Sequence, residues 1–204
     1  MPLWAGITLT VVWLLAVLFW RANRVWLPYY ITGTVGMALA LIYVGVEVIP
    51  LHEWMQRSTV WMVHQLSWLL QVPTQTFAEP PGTIMVLVIS QSVGWTMLQV
   101  SVESSGLLEA CVLASMLIFY PGWSLRKKLG LISLGLAATF VANLFRMMII
   151  TTSLHYLGKE SLLLSHIFVG RLVFFALVVL IFWMVITLPT LRTVRQKLDQ
   201  EART

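Results

Sequence analysis

The amino-acid sequence predicts an all-α polytopic membrane protein, and three observations carry that prediction. Of 204 residues, 59% are hydrophobic and 10% are charged, where a soluble domain carries roughly a quarter charged. The mean hydropathy is +0.86. Long apolar runs alternate with short basic or proline-containing segments, as in helices that cross a bilayer and turn outside it. Such a chain lacks the polar side chains to cover itself in water. About five transmembrane helices are expected, with an outer interfacial helix and a small outer β-hairpin, in one integral membrane domain.

The first helix covers about Leu3–Trp20. No basic residue precedes it and no small-residue cleavage site follows, so it reads as a retained helix rather than a cleaved signal. The basic linker Arg21–Arg24 follows. A second helix runs from about Leu27 to Ile49, with Gly33, Gly36 and Ala40 near one face for close helix packing, and Pro50 ends it.

Glu53–Gln71 differs in kind. Polar residues interrupt it, and Trp54, Trp61 and Trp68 fall on one helical stripe. It is expected to lie at the outer interface, with a spanning helix as the other reading. Pro73–Gly82 reads as a loop. Thr83–Ser90 is rich in β-branched residues, and Trp95–Val102 alternates in part, so the two are expected to pair as a hairpin around Gln91–Gly94. Ser104 or Ser105 would cap a third helix running to Tyr120. A fourth runs from about Leu129 to Tyr156 and a fifth from Ser161 to Leu188, with Pro189 ending it. Leu191–Thr204 is a charged tail.

Charge sets the expected orientation. A net charge of +5 would point a soluble protein towards nucleic acid. Here the basic residues flank apolar runs instead, and no nucleic-acid partner is expected. With Arg21, Arg24, Arg126–Lys128 and the tail in the cytoplasm, nine of thirteen Lys and Arg lie inside, in keeping with the positive-inside rule. The expectation is a multi-pass protein of the plasma membrane, N-terminus out and C-terminus in.

Three polar groups interrupt the last three apolar runs. Cys111, the only cysteine, stands in the third, Asn143 and Arg146 in the fourth, and His166 opens the fifth. Counted from each helix's own outer end, Cys111 lies ~9 Å in, His166 ~7–8 Å and Arg146 ~15 Å, all in the outer half of the bilayer. A thiolate is a nucleophile whose pKa a nearby cation lowers. An imidazole can carry its proton to a leaving amine. A guanidinium can hold an oxyanion or a carboxylate, and Asn143, three residues before Arg146, can orient it. Arg171 stands equally as a site residue and as a structural partner of Glu103, Glu109 or lipid phosphate. A lone cysteine also has a plain reading as a packing residue. An intramembrane arginine is harder to set aside, since it costs at least about 2.5 kcal/mol unless it snorkels or is paired. No metal-ligand spacing and no cofactor motif is present.

The order Cys111, then Asn143-x-x-Arg146, then His166-x-x-x-Gly170, on successive helices, resembles the exosortase/archaeosortase family over about Val102–Leu188. The resemblance implies a membrane-embedded cysteine transpeptidase. Cys111 would be its nucleophile, with Arg146 and His166 as the catalytic partners. Its substrate would be an exported protein with a C-terminal hydrophobic sorting helix, and its acceptor a lipid or other amine. Family members often carry Ser-Gly or Thr-Gly after the cysteine. Here Val112-Leu113 follow Cys111, and Ser104-Ser105-Gly106 precedes it. The rival reading is a non-enzymatic membrane scaffold or export-associated subunit, in which Arg146 pairs structurally and Cys111 tolerates replacement.

Overall fold

The structure is a computed structural model that describes residues 3–79, 83–90, 94–158 and 168–201. Helix α1 is Leu3–Ala22 and α2 is Trp26–Tyr43, which loosens into a π-helical stretch over Val44–Val48. Helix α3 is Leu51–Leu69. Three strands follow, β1 Thr74–Glu79, β2 Thr83–Ser90 and β3 Gly94–Val100. A short 3₁₀ turn, Val102–Ser104, leads into α4, Leu107–Phe119. Helix α5 is Leu125–Leu157 and α6 is Gly170–Phe182; a second π-helical stretch, Trp183–Thr187, joins α6 to α7, Leu188–Glu201.

Trp26–Val48, Leu125–Leu157 and Gly170–Gln196 are long and apolar enough to cross a membrane. These three carry the membrane class that the composition predicts. Two further apolar helices, Gly6–Ala22 and Leu107–Phe119, are shorter. At 13 residues, α4 spans only ~20 Å. Its neighbour α5, with 33 residues, extends ~50 Å, beyond a hydrocarbon core of about 30 Å.

The predicted hairpin is present, with Val88 opposite Thr96 and Ile89 opposite Trp95. A third strand flanks it. β1 lies in the segment expected to be a loop and pairs antiparallel with β2, Thr74 opposite Val88. The sheet order is β1-β2-β3. A strand of mixed composition such as Thr74–Glu79 is stabilised by its neighbour more than by its own propensity.

Two apolar cores stack along α5. One joins Val60 and Val63 of α3, Val88, Leu98 and Val100 of the sheet, and Met147, Ile150 and Leu154 of α5. The other joins Leu113 and Leu117 of α4 to Ala142 of α5 and to Phe174, Ile181 and Val185 beyond it. The Trp54, Trp61 and Trp68 stripe points away from the first core, each residue at least 60% exposed.

Helix α2 fits the groove beside α4 because Gly33 offers no Cβ to the Phe119 ring, and Gly36 does the same for Trp13 of α1. Ala40 is exposed and Ala38 takes the buried place. The basic segments meet at the end opposite the sheet. Arg21 and Lys128 line one cleft with Trp26, Tyr29 and Pro121, and Lys127 Nζ lies 3.4 Å from Thr193 Oγ1 of α7.

Two boundaries differ from expectation. Arg126–Lys128 belongs to the first turn of α5 rather than to a loop, in keeping with the high helix propensity of Arg and Lys. Pro189 does not end the last helix: it sits in the first turn of α7, directly after the π-helical stretch that absorbs its missing N–H.

Candidate active site

The approach to α4 is a tight turn built from small residues. Ser105 donates its hydroxyl to the Val102 carbonyl at 2.6 Å and accepts the Leu107 N–H at 3.2 Å. Gly106 then takes φ +79°, a left-handed conformation that an L side chain would strain. It occupies the cap position expected for a serine, so the helix begins at Leu107.

Asn143 faces this turn from α5. It is fully buried, and its Nδ2 donates to the main-chain carbonyl of Ser104 at 2.8 Å. Its Oδ1 is buried as well and has no hydrogen-bond partner among the described residues. One turn along, Arg146 is 6% exposed and lies over the Phe174 ring of α6, Cζ to centroid 5.3 Å. Stacking on an aromatic face offsets part of the cost of a desolvated guanidinium.

Helix contacts give a common scale of depth. Gly106 is level with Asn143, since a Cβ on that glycine would lie 3.5 Å from Asn143 Cβ. Leu113 packs on Gly135, and the Tyr120 hydroxyl meets Thr190 Oγ1 at 2.9 Å near the far end. On this antiparallel scale Cys111 stands opposite about residue 137 of α5. Arg146 is about nine residues farther towards the sheet, ~13 Å along the axis. Counting each helix from its own end makes Arg146 the deeper of the two; the helix contacts instead put its backbone nearer the sheet end than that of Cys111. α4 begins opposite about residue 141, far below the end of α5, so its ends are not coplanar with those of its neighbour.

Cys111 is buried, and its carbonyl accepts the Ser115 hydroxyl at 2.7 Å. Among the described residues its thiol has no hydrogen-bond partner. Arg171, in the first turn of α6, is exposed and makes no ion pair among the described residues. His166 lies outside the described residues. The turn thus brings Asn143 and Ser104 together, while Arg146 lies over Phe174, which shares a core with Leu113 and Ala142.

The chain matches no protein family, no curated protein and no solved structure with which it was compared.

The composition passed over two features of the site. Phe174 reads as one more apolar residue, and its place over Arg146 depends on how α6 packs. Ser104 reads as a helix cap, although its hydroxyl takes no capping hydrogen bond. Of the other histidines, His155 is 2% exposed, and His64 Nδ1 ties α3 to β1 through Thr74 Oγ1 at 2.8 Å.

Proposed function

We propose that this chain is a membrane-embedded peptidase or transpeptidase of exosortase type that works through an acyl-enzyme. The observation that carries the reading is the pair Asn143 and Arg146. Two strongly polar side chains, both over nine-tenths buried, share one face of a helix otherwise suited to the bilayer. A buried guanidinium is expensive to hold in such a helix even when it is paired. A guanidinium poised for a developing oxyanion has a use for that cost.

Five crossings with the sheet end outside fit the basic cleft at the opposite end, which would then face the cytoplasm of a plasma membrane. The substrate is an exported protein whose C-terminal hydrophobic helix approaches sideways through the bilayer. Its peptide is cut on the extracytoplasmic side and passed to a membrane-lipid amine, another amine or water. The resemblance gives the attack to Cys111, the oxyanion to Arg146 and the proton to His166, with Asn143 and Arg171 orienting. No cofactor is called for. The scaffold reading keeps the same fold and makes Arg146 a structural partner of Glu109 or Glu103.

The test is made in cells producing the chain. C-terminal peptides of membrane-anchored exported proteins are compared by mass spectrometry between wild type and Arg146→Ala. Loss of the trimmed C-termini in the variant is expected. Identical C-termini, with the variant present at normal abundance, would overturn the reading.

A further inference from the structure

We propose that the cleft where α1, α2, α4 and α5 meet, at the end opposite the sheet, binds the phosphate of an anionic membrane lipid. The cleft has a volume of about 430 Å³, within the range of small-ligand sites. Two cations line it: Arg21 from the last turn of α1 and Lys128 from the first turn of α5. The site stands apart from the acyl-transfer reading and does not depend on it.

Charge is the first ground. Among the described residues no acidic side chain lines the cleft, and neither cation makes an ion pair. Arg21 suits its own helix, whose C-terminal end is partly negative. Lys128 has the opposite setting. It follows Arg126 and Lys127 in the first turn of α5, where no acidic residue stands and where the helix end is itself partly positive. Ser124 gives that end no side-chain cap. Positive charge is thus gathered in one place, and an anion is the group that relieves it.

Placement is the second ground. A basic residue that only sets orientation in the bilayer needs to lie on the correct side, and a lysine there can stretch into water. Lys128 turns towards α4 instead. It is half-buried, and its Nζ donates to the Ile118 carbonyl at 2.5 Å. An ammonium has three donors, so two remain for phosphate oxygens. Lys127 is held elsewhere, with Nζ 4.5 Å from the centroid of the Trp123 ring. The Arg21 guanidinium is uncommitted among the described residues.

The walls decide the source of the phosphate. Trp26 and Ile118 line the cleft and remain 54% and 39% exposed. Tryptophan favours the headgroup level of a bilayer, and basic pockets between membrane helices take acidic headgroups. The glycerol and first acyl carbons of a lipid would cover these apolar walls, whereas inorganic phosphate gains nothing from them.

Native mass spectrometry of the full chain in detergent tests this. The probes are phosphatidylglycerol, phosphatidylcholine with the same acyl chains, and inorganic phosphate. Wild type, Arg21→Gln, Lys128→Gln and Arg195→Gln are compared. Arg195 of α7 carries the same charge and does not line the cleft. Wild type should retain one phosphatidylglycerol in preference to phosphatidylcholine. Arg21→Gln and Lys128→Gln should each weaken that binding about fivefold, and Arg195→Gln less than about twofold. Arg21 is exposed, so its variant tests the site even if Lys128→Gln disturbs the contact with α4. Equal retention of the two lipids overturns the proposal. So does an Arg21→Gln chain that binds like wild type, or an Arg195→Gln chain that loses as much as Arg21→Gln, the mark of a diffuse positive surface. Displacement of phosphatidylglycerol by inorganic phosphate alone overturns the lipid as the source and makes the free anion the ligand.

Discussion

Asn143 and Ser104 are joined across the α4–α5 interface by a 2.8 Å hydrogen bond from a side-chain amide to a main-chain carbonyl. The carbonyl belongs to a turn rather than to a helix ladder, and it is buried. Removing the amide leaves that oxygen without its partner. Asn143→Ala should lower stability by about 1–3 kcal/mol. Thermal unfolding in detergent, followed by loss of tryptophan fluorescence change, gives the value. A melting temperature equal to wild type would mean that the turn is held by something else.

Arg146→Met separates stability from activity. Methionine fills much of the same space and removes a buried charge. Taking away one member of a buried polar contact destabilises by about 3–5 kcal/mol when the other member stays buried. The expected outcome is a protein that still folds, less stable than wild type by no more than that, in which C-terminal processing has stopped. A stable Arg146→Met protein that still trims its substrates would favour the scaffold reading.

Gly33→Val should place methyl groups in the Phe119 ring. Overpacking of this kind costs about 1–3 kcal/mol. If the ring is the obstacle, Phe119→Ala should relieve part of that loss, and the double variant should be more stable than the sum of the single effects allows. Strict additivity in the thermal unfolding of the four chains would argue against the α2–α4 contact.

Sidedness can be read by labelling. In a Cys111→Ala background, Gln75→Cys at the sheet end should react with a membrane-impermeant maleimide applied to intact cells. Gln196→Cys on α7 should react only after the membrane is opened. The reverse pattern would invert the proposed orientation.

The fold was legible in the sequence where a signal is local. The β-branched run Thr83–Ser90 and the turn after it announce a hairpin, and the tryptophan stripe of α3 announces a helix with one face turned from the core. β1 was not legible, because Thr74–Glu79 becomes a strand through pairing with β2. His155 stands in the last turn of α5, yet the core shared with α3 and the sheet reaches that far, and the histidine is buried. Asn143 and Arg146 were legible as polar groups in an apolar run. Their distance from Cys111 was not, since it depends on where α4 starts relative to α5. The displaced Ser104-Ser105-Gly106 was the visible hint, and only the helix contacts give it a place.

The shortness of α4 has a consequence for the surrounding lipid. On the five-crossing reading, α4 at ~20 Å would stop inside a hydrocarbon layer of about 30 Å, with the irregular backbone of 101–106 at that depth. Exposed peptide groups are not tolerated against acyl chains. On that reading the neighbouring elements that bury Ser104, Ser105 and Gly106 would screen them from lipid. The shielding of this turn from water would then vary with the thickness of the membrane around α4.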